Sequence, residues 1–170
     1  MLALTLALLQ VSVRPTAIVP ALHERVAVRV ANPSDTAVTR VHVNVPDVLV
    51  LLGVDAPPGW MARVIEATDT SSQTIEWTGG SMARREYREF AFLVRLPADA
   101  RRNNLVLPVR LGRAAGTDLV WGPGTGSVGA APEMGVEGSV GVTPRGAFML
   151  AAGALGLGAL ATALALFRRR

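Results

Sequence analysis

The chain has 170 residues, 17 of them Lys or Arg against 13 Asp or Glu, and no cysteine, which removes disulfides, zinc knuckles and thiol catalysis together. Every basic residue is Arg, and three of the 17 are Arg168, Arg169 and Arg170, so 17 − 3 leaves 14 cations against 13 acids in the body. A near-neutral body lacks the electrostatic footprint that nucleic-acid binding needs, and no nucleic acid is expected as a partner.

Residues 1–9 are apolar with no basic residue before them, and they look like the later part of a signal-peptide hydrophobic region. A start codon further upstream, with one or two arginines, is expected to complete it. Cleavage just before Gln10 suits the position. Beyond this the dominant period is two: Val26, Val28 and Val30 alternate with Ala27 and Arg29, and Val41, Val43 and Val45 with His42 and Asn44. Arg88, Phe90, Phe92, Val94 and Leu96 follow the same rule, as do Leu105, Leu107, Val109 and Leu111. Such runs make strands with one buried face. They are stopped at Asn32-Pro33, Pro46, Pro57-Pro58-Gly59, Gly79-Gly80, Pro97 and Gly112. Short strands spaced by turns, with no helical stripe and no Gly-rich phosphate loop, predict an all-β antiparallel sandwich or barrel over residues 10–122.

Val48, Leu49, Val50, Leu51 and Leu52 are apolar without a break, more than a one-sided strand requires. Two readings fit: a strand buried on both faces, or an exposed patch that contacts another protein. Residues 123–145 are rich in Gly, Pro and Ser with almost no aromatic side chain, and they read as a flexible stalk. Residues 146–167 are 22 positions without a charge, a helix of about 33 Å against a hydrocarbon layer of about 30 Å. Its apolar side chains, Phe148 through Phe167, surround the whole cylinder, so a transmembrane helix is predicted. The 168–170 arginine tail is then held on the cytoplasmic side, and everything before residue 146 is expected outside the cell membrane. A removable anchor signal is the alternative, but it would carry upstream recognition residues that are not visible here.

Catalysis would need a base, and only His23 and His42 are candidates. His23 follows a turn at Pro20, His42 lies among polar residues on a strand, and both read as solvated surface residues. Ser71 and Ser72 belong to a polar turn. Glu86 and Glu89 stand among Arg84, Arg85 and Arg88 and read as an exposed ion-pair patch. No catalytic constellation is present, and the chain is not expected to be an enzyme. Trp60, Trp77 and Trp121 all fall at strand ends, and the first two are assigned to the core, since one tryptophan buries on the order of 200 Å².

The segments Gln10-Val11-Ser12-Val13-Arg14-Pro15, Thr39-Arg40-Val41-His42-Val43-Asn44-Val45-Pro46, Pro58-Gly59-Trp60, Ile75-Glu76-Trp77-Thr78-Gly79-Gly80 and Val120-Trp121-Gly122-Pro123 follow one another in an order and spacing that resemble the YcnI-like domain. The resemblance covers about residues 10 to 123. It implies an immunoglobulin- or cupredoxin-like antiparallel β-sandwich, secreted or membrane-anchored and associated with copper handling. In copper-binding members the mature chain begins with a histidine whose amine and ring chelate Cu(II) beside a tryptophan, a nitrogen set well suited to that ion. Trp121 matches the tryptophan, but Gln10 stands where the histidine would be. An N-terminal glutamine also cyclises to pyroglutamate, which removes the amine. His23 is a candidate substitute if the strand folds back, so the candidate metal residues are Gln10, Trp121 and His23. Two functions follow. One is an accessory protein of copper handling with an altered site, serving a copper transporter or another envelope protein. The other is a metal-free interaction module on a stalk.

Overall fold

The computed structural model describes residues 11–137 except 33, 70, 71, 101, 124 and 125. Gln10, the signal-like segment, residues 138–145 of the expected stalk and the expected membrane helix with Phe148, Phe167, Arg168, Arg169 and Arg170 lie outside the described residues. Among the described residues there is no helix long and apolar enough to cross a membrane.

Two antiparallel sheets carry the fold. The four-stranded sheet has the order β1-β3-β8-β5, built from β1 (Val11–Arg14), β3 (His23–Ala31), β8 (Tyr87–Arg95) and β5 (Val50–Val54). The five-stranded sheet has the order β11-β10-β4-β7-β6, from β11 (Leu119–Trp121), β10 (Val109–Arg113), β4 (Val38–Asn44), β7 (Thr74–Thr78) and β6 (Met61–Ile65). The alternation read from the sequence is what packs them: Val26, Val28, Phe90 and Phe92 point inward from one sheet, Val41, Val43, Ile75 and Trp77 from the other, and all are buried. Each aliphatic side chain taken out of water in this way contributes about 1.5–3 kcal/mol before entropy is counted.

Phe90 is the hub. Trp60 meets it edge-on with ring centroids 5.0 Å apart, and Trp77 lies 5.3 Å away at a tilt. Trp77 Nε1 donates to the Asp55 carbonyl oxygen at 2.7 Å, so the buried indole keeps its hydrogen bond. Trp60 lies flat against Gly80, where an added Cβ would come within 2.2 Å of the ring. The Gly79-Gly80 breaker therefore serves packing as well as turning. Asn32 is the buried polar side chain of the described core; its Nδ2 donates to the Thr36 and Met82 carbonyls, which ties the β3–β4 turn to the opposite sheet.

The structure corrects three expectations. The run Leu105 to Leu111 is two strands, broken at Pro108: β9 (Asn104–Val106) and β10 belong to different sheets. The expected stalk begins too early at residue 123, because Glu133–Val136 form β12 at the centre of a three-stranded sheet, β2-β12-β9, where β2 is Ala17–Ile18. The β2–β12 pair is parallel, an exception to the antiparallel rule, and Met134 is completely buried. The apolar run 48–52 is not buried on both faces: Leu49 is buried and Leu51 half-buried, while Val50 and Leu52 are exposed. Leu52 faces outward with Val50 by plain alternation, and the register shift between Leu51 and Gly53 sets Gly53 outward beside it, opposite Leu93.

If β12 is part of the core, Met134→Ala lowers the unfolding free energy by about 2–4 kcal/mol, measured by urea denaturation. A change below about 0.5 kcal/mol, the size of a surface effect, would return the segment to the stalk.

Candidate functional site

Trp121 closes β11 at the edge of the five-stranded sheet, opposite Val109. It is 2% exposed, and residues 127–129 fold against it. Val128 N donates to the Val120 carbonyl and Gly122 N to the Gly129 carbonyl, while Ser127 Oγ donates to the Gly129 carbonyl at 2.6 Å. Gly129 sits against the indole, where a Cβ would stand 2.9 Å from Cδ1 and 3.1 Å from Nε1. Trp121 Nε1 is buried and has no hydrogen-bond partner among the described residues. Such an orphaned donor costs about 1–3 kcal/mol, so its position is held by the packing around it.

The other two sequence candidates are not brought to Trp121 by the described structure. Because Val11 pairs with Val30 and Arg14 with Ala27, the chain enters at the Ala31 end of β3. His23 occupies the opposite end, paired with Arg95. From His23 to Val30 is seven residues, about 23 Å of extended strand. His23 therefore does not fold back to the start of β1, which corrects the expectation that it could replace an N-terminal imidazole; Gln10 itself lies outside the described residues.

His23 and Trp121 do not together make a Cu(II) site. An indole N–H is a donor with no lone pair to give, and no group of three His, Cys, Asp or Glu side chains gathers among the described residues. Trp60 and Phe90, opposite β7, place β1 and β11 on the same side of the sandwich.

His42 departs from the solvated surface residue expected. It is half-buried on the outer face of the five-stranded sheet, in a row that crosses all five strands through Val120, Arg110, His42, Glu76 and Arg63. His42 Nε2 is 3.2 Å from Glu76 Oε1 but off the line of a hydrogen bond. Burial lowers its pKa below the ordinary 6.5; Glu76 opposes this, while Arg40 and Arg110 add to it and Asp118 opposes it weakly. The sequence signal for this pairing is weak, because nothing in the sequence sets β7 beside β4. The arginine patch is only partly as expected: Arg88 lies 3.8 Å from Glu86, but Arg84 pairs with Asp35 and Glu89 with Arg29.

Two facing antiparallel sheets with an aromatic hub define a β-sandwich of the immunoglobulin type. Among solved structures, an uncharacterized protein from Nocardia farcinica with an immunoglobulin-like fold is similar at 21% identity and TM-score 0.58, covering 74% of this chain and 96% of that one. A cohesin module from a Clostridium perfringens family 33 glycoside hydrolase is similar at 9% identity and TM-score 0.51, with coverage of 74% and 96%. The chain belongs to the family described as a domain of unknown function, DUF1775, the YcnI family domain, which matches residues 10–127. No curated protein matches it.

Two outcomes follow. Gly129→Ala forces Trp121 to move, which shifts its emission and costs about 1–3 kcal/mol; unchanged emission and stability would show the contact to be loose. Since the folded His42 pKa is depressed, the unfolded chain takes up the proton first, and stability falls as pH drops below 6.5 toward the folded value. His42→Gln flattens that slope in melting temperatures recorded from pH 7 to 5, and an equally steep slope in the variant would contradict the assignment.

Proposed function

We propose that this chain is a non-catalytic, extracytoplasmic accessory protein of copper handling, anchored to the membrane by residues 146–167, which works by contact with another envelope protein because its own copper site is degenerate. Family membership supports the association with copper. The apolar 146–167 segment followed by three arginines supports the anchor and its orientation. The observation that carries the reading is the setting of Trp121: buried, its indole N–H unpaired, with His23 at the far end of β3. The alternative, an interaction module with no connection to copper, draws on the exposed Val50 and Leu52. Copper sensitivity of cells lacking the protein separates the two.

In a Cu(II) titration of the full-length protein with its mature N-terminus, Trp121 fluorescence stays unquenched through the micromolar range. Gln10→His, with the amine free, gains micromolar binding and quenching, since it restores the missing imidazole. Micromolar quenching of the native protein would overturn the degenerate site.

A further inference from the structure

The outer face of the four-stranded sheet combines a depression, unpaired cations and exposed apolar side chains. Its floor includes two small residues, Ala91 on β8 and Gly53 on β5 opposite Leu93, while Ala27 on β3 lies opposite Ala91 just outside it. Both alanines take the outward side of the alternation, yet Ala91 is only 2% exposed. A Cβ added at Gly53 would meet nothing within 4 Å. The result is a hollow of about 300 Å³ between Arg25, Asp55 and Leu93.

The charges around it do not balance. Arg29 is held by Glu89 at 2.7 Å, and Arg25 faces Asp55 at 3.8 Å. Arg14 and Arg95, exposed on β1 and β8, have no carboxylate within ion-pair distance among the described residues. Along the β5 border the face becomes apolar: Val50 is 40% exposed, Leu52 43% and Leu93 38%. β5 is also an edge strand, with one side of its backbone unpaired.

We propose that this face docks an acidic segment of a protein partner, a large apolar side chain filling the Ala91–Gly53 hollow while flanking carboxylates meet Arg14 and Arg95. This rests on the reading that the chain acts by contact and supplies the partner's chemistry. A second copy of the same face would set arginine against arginine. A lipid surface presents no protrusion to enter a hollow, whereas an extended acidic segment supplies one and brings the bidentate carboxylate geometry that arginine favours. The charges set orientation and association rate, and the apolar anchor sets residence time.

The test has two arms. A random peptide library panned on the full chain in lipid nanodiscs should select peptides with Asp or Glu around one large apolar residue. Arg14→Glu together with Arg95→Glu should weaken those peptides at least tenfold, while Arg40→Glu with Arg63→Glu, on the five-stranded sheet, changes binding less than twofold. Circular dichroism confirms that both double variants are folded. In cells, a photo-crosslinking residue at Leu93 should join the chain to one envelope protein through an acidic peptide, and the same residue at Ile65 should not. Selected peptides without acidic residues, or crosslinks from Leu93 to lipid, overturn the partner chemistry. Crosslinks from Ile65 alone overturn the face but keep the contact reading; protein crosslinks from neither position overturn both.

Discussion

Everything in this domain hangs on the contact between two sheets at Phe90. Without cysteine, no covalent link limits the unfolded chain, so the packing of Trp60 and Trp77 against that ring, and of valines around it, must offset the conformational entropy of folding. The contact also fixes position. By setting β8 over β7 it settles which edges of the two sheets share a side, and so where β1 and Trp121 stand relative to His23.

That placement decides the chemistry. β3 is nine residues long and rigidly paired on both sides, so it holds its two ends apart as a ruler does. One end receives the start of the described chain through the Val11–Val30 pair; the other carries His23. A ring at one end of such a strand cannot serve a site at the other. The tryptophan pocket is meanwhile maintained in detail, with Ser127 and Gly129 folding the loop onto Trp121.

How much of this the sequence discloses depends on the length scale involved. The long strands were legible because valines at Val26, Val28 and Val30, or phenylalanines at Phe90 and Phe92, repeat often enough for period two to stand out. The glycines of the 122–137 segment hid β12, since the two buried side chains of that strand, Met134 and Val136, are too few to show a period. The split at Pro108 was hidden for the opposite reason, the alternation running on through a break that changes sheet. Of the candidate site, Trp121 could be located from its motif, while Gln10 lies outside the described residues. The His42–Glu76 pairing, the far position of His23 and the hollow over Ala91 all depend on strand register, which composition and period do not encode.

The central proposal is that the mature protein holds no copper of its own and acts by contact. Intact-mass spectrometry of the protein isolated from its own membranes, under conditions that retain bound metal, tests this most directly. The account predicts a chain starting at Gln10, as glutamine or pyroglutamate, with no copper attached. A chain that starts with histidine, or one that carries a copper ion through purification, would contradict it.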